Sequence, residues 1–177
     1  RLACSRAASF MTAPTTTGEP PDTAPSPTAG AIAGTEPAPA MTYAIALCQP
    51  AEPGRAPVLE VKVGGRASVG MAREMFTAVA QEAERVGSCP ILWDFRATSY
   101  DDLAIDEILQ VAAAFPASLK VLSARGALLV RQDRGTALAQ LWKEISRITL
   151  DLEREIFHDR DAALAWASAA PQAKQPD

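Results

Sequence analysis

Clusters of Lys and Arg are missing from this chain of 177 residues. Its 17 basic and 21 acidic side chains are interspersed, with a formal charge of −4. Such a surface does not concentrate phosphates, which excludes the usual nucleic-acid binder. Long apolar runs are missing too: no stretch approaches the roughly 18 consecutive apolar residues of a membrane helix, so no membrane insertion is expected. Histidine occurs once, as His158. Between Phe157 and Asp159 it suits a solvent-facing or cap-bonded imidazole better than a triad or a metal centre.

Cysteine is scarce and oddly counted. Cys4, Cys48 and Cys89 are widely spaced and form no CxxC or Cys/His ligand pattern. A structural zinc is therefore not expected, and reduced thiols in a cytoplasmic protein are. "RLACSRAASF" carries Cys4 without the apolar stretch a signal peptide needs before its cleavage site. There is no G-x-S-x-G elbow. "GGRASVG" (64–70) is neither a dinucleotide fingerprint nor a phosphate loop with its Lys. Asp101, Asp102, Asp106 and Glu107 lack calcium-loop spacing and suit a helix N-terminus instead. No catalytic residue, metal or cofactor is expected.

What is present begins late in the chain. Residues 1–40 hold half of the fourteen prolines and almost no large side chains. They cannot bury enough surface to offset their ordering entropy, so a disordered tail is expected. They contain no P-x-x-P flanked by basic residues, which favours an inert tail. Met41 opens the first strand-like run and is a candidate natural start. A single domain is expected over 41–171, with 172–177 a short C-terminal tail.

Within that domain, "TYAIALC" (42–48) and "VLEVKV" (58–63) flank a turn-rich segment and read as an antiparallel pair. In "SVGMAREMFTAVAQEAERVG", Ala72, Met75, Phe76, Val79, Ala83 and Val86 recur every three or four residues, one helical face. Ser68 is its N-cap and Gly87 its left-handed stop. "PILWDF" (90–95) is a buried strand, followed by a helix through "DLAIDEILQVAAAF" capped by Asp101 or Asp102. "GALLV" (126–130), "RGTALAQLWKEISR", "REIF" (154–157) and "DAALAWASAA" complete the series, the last helix capped by Asp159 or Asp161. The order β-β-α-β-α-β-α-β-α specifies an α/β fold with a mixed, mostly parallel sheet covered by helices.

"ILWDFR" (91–96), "RGALLVRQD" (125–133) and "EIFHDRDAALAW" (155–166), taken in that element order, resemble the STAS domains of anti-sigma-factor antagonists and sulphate-transporter tails. The closer resemblance is to uncharacterised STAS-like proteins related to CRAL-TRIO lipid-binding domains. Antagonist members carry Asp-x-Ser-Gly and then Asp-Ser-Ser-Gly, whose second serine is phosphorylated. Laid on this chain, the two aspartates fall on Asp94 and Asp102, Arg96 and Ala97 replace the first Ser-Gly, and Leu103 and Ala104 replace the serine pair. The resemblance thus implies a non-enzymatic regulatory or protein-interaction domain without the phosphorylatable serine, and its relatives raise a small apolar, lipid-like ligand as the alternative.

Strand alternation turns Ile91, Trp93 and Phe95 one way and Leu92, Asp94 and Arg96 the other. Asp94, Arg96, Ser99, Asp101, Asp102 and Leu103 are the candidate partner- or ligand-binding rim, at the strand end where open α/β sheets bind. A structural reading stands beside it, in which Arg96 pairs with Asp94 and Asp102 caps a helix. Met71, Met75, Phe76, Leu141 and Trp142 are candidates for an apolar pocket, Trp142 and Trp166 being core residues that could also line one. Helical apolar surface makes a homodimer a further expectation.

Overall fold

A computed structural model of the chain describes residues 3–4, 39–50, 52–100, 104–113, 115, 125–150 and 152–169. Six strands form one sheet: β1 (Ala3–Cys4), β2 (Thr42–Gln49), β3 (Val58–Arg66), β4 (Ile91–Ser99), β5 (Arg125–Leu129) and β6 (Glu153–Phe157). The helices are α1 (Val69–Val86), α2 (Ile105–Ala113), α3 (Arg134–Leu150) and α4 (Arg160–Ser168). Strand order in space equals order in sequence. β1, β2 and β3 pair antiparallel, and β3, β4, β5 and β6 pair parallel. β3 thus joins the parallel set expected for the last three strands. Among the described residues no helix is long and apolar enough to cross a membrane.

The local signals explain the element ends. Ser68 accepts a hydrogen bond from the Met71 amide, and Gly87 follows the helix at φ 86°, a conformation that favours glycine. Asp159 accepts from the Ala162 amide at 2.8 Å and caps α4, which settles the choice between Asp159 and Asp161. Asp101 and Asp102 lie outside the described residues. There the Glu107 carboxylate accepts from the Ala104 amide at 2.9 Å, half of a capping box. Of the stretch read as a tail, Ala3–Cys4 pairs with Gln49 and Cys48, and Ala40 bridges Arg66. The rest of it, apart from Pro39, lies outside the described residues.

Topology then assigns the layers. Right-handed crossovers between parallel strands that advance in one direction place every connecting helix on one face. α1 and α3 accordingly pack with Leu59, Val61, Val63, Ile91, Trp93, Leu128 and Val130. The opposite face carries Val58, Leu92, Ala127 and Leu129, covered by Ala163, Leu164 and Ala167 of α4. α4 runs across β3, β4, β5 and β6 and meets them with small side chains. Burying a Leu or Val side chain contributes roughly 1.5–3 kcal/mol, so both layers hold the fold.

One irregularity matters for function. Lys62 pairs with Asp94, but Gly64 pairs with Ala97, so β4 carries one residue more than β3 over this stretch. Such a bulge shifts the alternation of side chains beyond it. Phe95 and, past the bulge, Thr98 and Tyr100 consequently face the same interior space.

Candidate functional site

That space is a cavity of about 110 Å³ between the sheet and the three crossover helices. α1 contributes Ala72, Met75 and Phe76, α2 contributes Ile108 and Val111, and α3 contributes Leu138, Ala139 and Trp142. The floor is β4 and its continuation, through Trp93, Phe95, Thr98 and Tyr100. Five of the chain's ten aromatic side chains line it, which concentrates rigid apolar surface at one point. Among the described residues, none of those lining it carries a charge.

The aromatic rings hold one another in place. Phe76 meets Trp93 edge-on at 5.7 Å and stacks on Trp142 at 6.3 Å. Trp93 stacks on Phe95 at 6.3 Å, and Phe95 meets Tyr100 at 6.5 Å. Polar atoms on the wall are few. The Ser68 hydroxyl caps α1, and the Thr98 hydroxyl donates to the Val63 carbonyl at 3.0 Å. Burial holds the Tyr100 hydroxyl's pKa well above the usual tyrosine range, so it stays neutral. Trp93 is only 2% exposed, and its indole Nε1–H is buried without an acceptor.

Of the pocket candidates, Met75, Phe76 and Trp142 line the cavity. Met71 packs against the core without lining the cavity. Leu141 turns to solvent, because Leu138, Ala139 and Trp142 occupy the inward stripe of α3 and leave it off that face. Trp166 lies on the other side of the sheet, against Phe157 at 5.6 Å with the Arg125 guanidinium 3.9 Å above its ring. Sequence reasoning missed Trp93, Phe95, Thr98 and Tyr100 as cavity residues. Alternation would have grouped Trp93 with Phe95; the bulge that adds Thr98 and Tyr100 leaves no local mark.

Of the rim candidates, Asp94 and Arg96 sit on the opposite face. Asp94 is buried and accepts from Arg96 through Nε at 2.9 Å, Nη2 at 2.8 Å and the amide at 3.2 Å. This is the structural reading of the pair, and the Asp94 carboxylate holds the Arg96 guanidinium's pKa up. The Ser99 carbonyl accepts from the Ala67 amide. Asp101, Asp102 and Leu103 lie outside the described residues.

Beside Asp94 stands a group that sequence reasoning passed over. Glu60 is 1% exposed and accepts from Arg160 twice, at 2.7 and 2.8 Å, with Lys62 at 3.9 Å. A Glu and a Lys alternating with valines in β3 mark a polar strand face. The partner, 100 residues away, follows from no local pattern.

Three further groups have structural roles. His158 Nδ1 lies 3.0 Å from the Val130 carbonyl and ties β6 to β5. Arg154 is 3% exposed, leaves Nε and Nη2 without partners, and lies over Phe115 at 5.9 Å. Burial pulls its pKa down to about 10. Gly126 makes room for it, since a Cβ there would stand 2.5 Å from Arg154 Nη1. Cys89 is a free, buried thiol whose pKa burial pushes up, whereas Cys48 is disulfide-bonded and not the reduced thiol expected. Cys4 is the residue opposite Cys48 in the β1–β2 register.

No family model matches this chain, and no curated protein does either. A solved structure does. It is an uncharacterised protein of the DUF3478 family with a SpoIIAA-like fold, from Shewanella loihica PV-4. The likeness has a TM-score of 0.51 at 17% identity and covers 71% of this chain and 93% of that one. It speaks to the fold alone and says nothing of kinship with CRAL-TRIO domains. The sheet order, the three crossover helices and the closing α4 give this chain the SpoIIAA-like α/β fold, the fold of the STAS-type anti-sigma-factor antagonists.

Proposed function

We propose that this chain is a non-enzymatic STAS-like binding domain whose ligand is a small apolar molecule held between the sheet and α1, α2 and α3. The cavity carries this reading. Folded interiors are close-packed, with few voids larger than a water. This pocket of about 110 Å³ is partly open and offers a concave, mostly apolar and aromatic surface rather than a sealed void. An apolar engineered cavity of about 150 Å³ takes up benzene, so the available space suits a ligand of that size. Among the described residues the wall is apolar and aromatic, which suits binding of an apolar molecule.

Toluene is the simplest probe. It should raise the thermal midpoint of the full chain in a saturable way and change the fluorescence of Trp93 and Trp142. Native mass spectrometry of freshly purified protein should show a small retained adduct. A midpoint unmoved up to the solubility limit of toluene would overturn the reading.

Partner binding is favoured by one separate observation. Ile105 and Leu109, 70% and 52% exposed, lie one turn apart at the start of α2, next to the loop expected to make contacts. If a second copy docks there, sedimentation returns a dimer mass that Ile105→Glu with Leu109→Glu reduces to a monomer. A monomer mass for the unaltered chain removes the homodimer. The cytoplasmic placement rests on Cys89 alone, since a bonded Cys48 fits an oxidising compartment.

A further inference from the structure

Cys48 is disulfide-bonded and Cys89 is a free thiol, which leaves Cys4 as the partner in a chain of three cysteines. The register agrees, since Cys4 stands directly opposite Cys48 across the antiparallel β1–β2 pair. Opposed residues in such a pair have Cα atoms about 4.5–5.5 Å apart, inside the roughly 4.4–6.8 Å that a disulfide spans. β1 is only two residues long and makes two ladder pairs. So short a strand does not offset the entropy of closing the chain between Cys4 and Cys48, and the covalent bond holds it in place.

On the sheet side the Cys48 sulfur meets a built receptor. It lies 3.4 Å from Glu60 Oε2 and 3.8 Å from Arg160 Nη2, in a residue that is 1% exposed. Glu60 is itself fixed by Arg160 at 2.7 and 2.8 Å. A disulfide sulfur carries no proton, so the approach to Glu60 becomes a hydrogen bond only when Cys48 is a thiol. We propose that the Cys4–Cys48 bond is a redox latch: it holds β1 on the sheet edge in oxidising surroundings, and a dithiol releases it while Glu60 receives the Cys48 thiol.

The exchange balances in two displacements. One thiolate of the dithiol attacks the Cys4 sulfur, because Cys48 is closed to it. The S–S bond breaks with its electron pair going to Cys48, beside the Arg160 guanidinium, and Cys48 takes up a proton and donates it to Glu60. The dithiol's second thiolate then displaces Cys4, which takes up the second proton. Two electrons have passed from the dithiol, now a disulfide, to two protein thiols. Cys89 stays out of the exchange, since it is 3% exposed and burial pushes its pKa up.

Peptide mapping of the unreduced full chain should join Cys4 to Cys48 and leave Cys89 free; any other pairing overturns the latch. Dithiothreitol, added to the native chain, should leave the circular dichroism unchanged. It should speed amide hydrogen exchange around Cys4 by about tenfold or more, while β3 to β6 keep their protection. Cys4→Ser should show the same fast exchange without reductant. Loss of the whole fold on reduction would make the bond a structural staple, and unchanged exchange around Cys4 would leave β1 docked without it. Either result overturns the latch.

The receptor is read separately. Glu60→Gln should raise the dithiothreitol concentration needed for half reduction about tenfold, the difference between a charged and a neutral acceptor. An unchanged concentration would remove Glu60 from the device. If Glu60→Gln fails to fold, Cys4→Ser decides alone: the S–H infrared band that Cys48 adds, relative to a chain also carrying Cys48→Ser, should be that of a bonded thiol, and a free-thiol band overturns the receptor.

Discussion

The two faces of the sheet solve opposite problems. On the face under α4, carboxylates go inside and every one described is matched: Glu60 by Arg160 and Lys62, Asp94 by Arg96, over close-packed alanines. On the face under α1, α2 and α3 the side chains are mostly apolar, large and ring-shaped, yet they leave a cavity, and the Trp93 N–H and two nitrogens of the buried Arg154 have no partner. The buried carboxylates are better satisfied than the buried Arg154 on the other face. The binding proposed above rests on the cavity face, while at the expected rim Asp94 and Arg96 pair with each other.

The contrast breaks most severely if the ionic face tolerates damage. Arg160→Ala strands the Glu60 carboxylate in the interior and should cost about 3–5 kcal/mol in urea unfolding. A loss below about 1 kcal/mol would show that Glu60 reaches water. Gly126→Ala drives a Cβ against the Arg154 guanidinium on the aromatic side and should cost roughly 1–3 kcal/mol, since Arg154 is buried and has little room to retreat. An unchanged midpoint would mean that Arg154 has another place to go.

Ala139→Leu sharpens the contrast from the cavity side. It should raise stability by about 0.5–2 kcal/mol and abolish the toluene response together. A stabilised variant that still binds toluene would place the ligand elsewhere. The smallest effect belongs to Arg96→Ala. Its guanidinium is 42% exposed, so the loss should stay within about 1 kcal/mol and probe affinity should be unchanged. A changed affinity would return function to the rim.

Much of the fold was legible because its signals are local. The stripe Ala72, Met75, Phe76, Val79, Ala83 marked α1, Ser68 and Gly87 marked its ends, and alternation in "ILWDFR" separated Trp93 from Asp94. The site was legible only in pieces. Phe76, Met75 and Trp142 could be named as inward-facing residues, but helical spacing leaves rotation uncertain by about a residue, which is why Leu141 stood where Leu138 and Ala139 belong. The paired reading of Asp94 and Arg96 was available from their spacing.

Apart from β1, amino-acid order alone determined which segments are strands and helices, and that helices would cover a mostly parallel sheet. These follow from backbone geometry and from periodicities of two and 3.6 residues, which act within a few positions. Only the tertiary structure decided that β4 bulges beyond Asp94, that Arg160 reaches Glu60, and that α1, α2 and α3 leave space above Trp93. An internal volume is the difference between the shape of a frame and the bulk of everything pressed into it, and no single segment carries that difference.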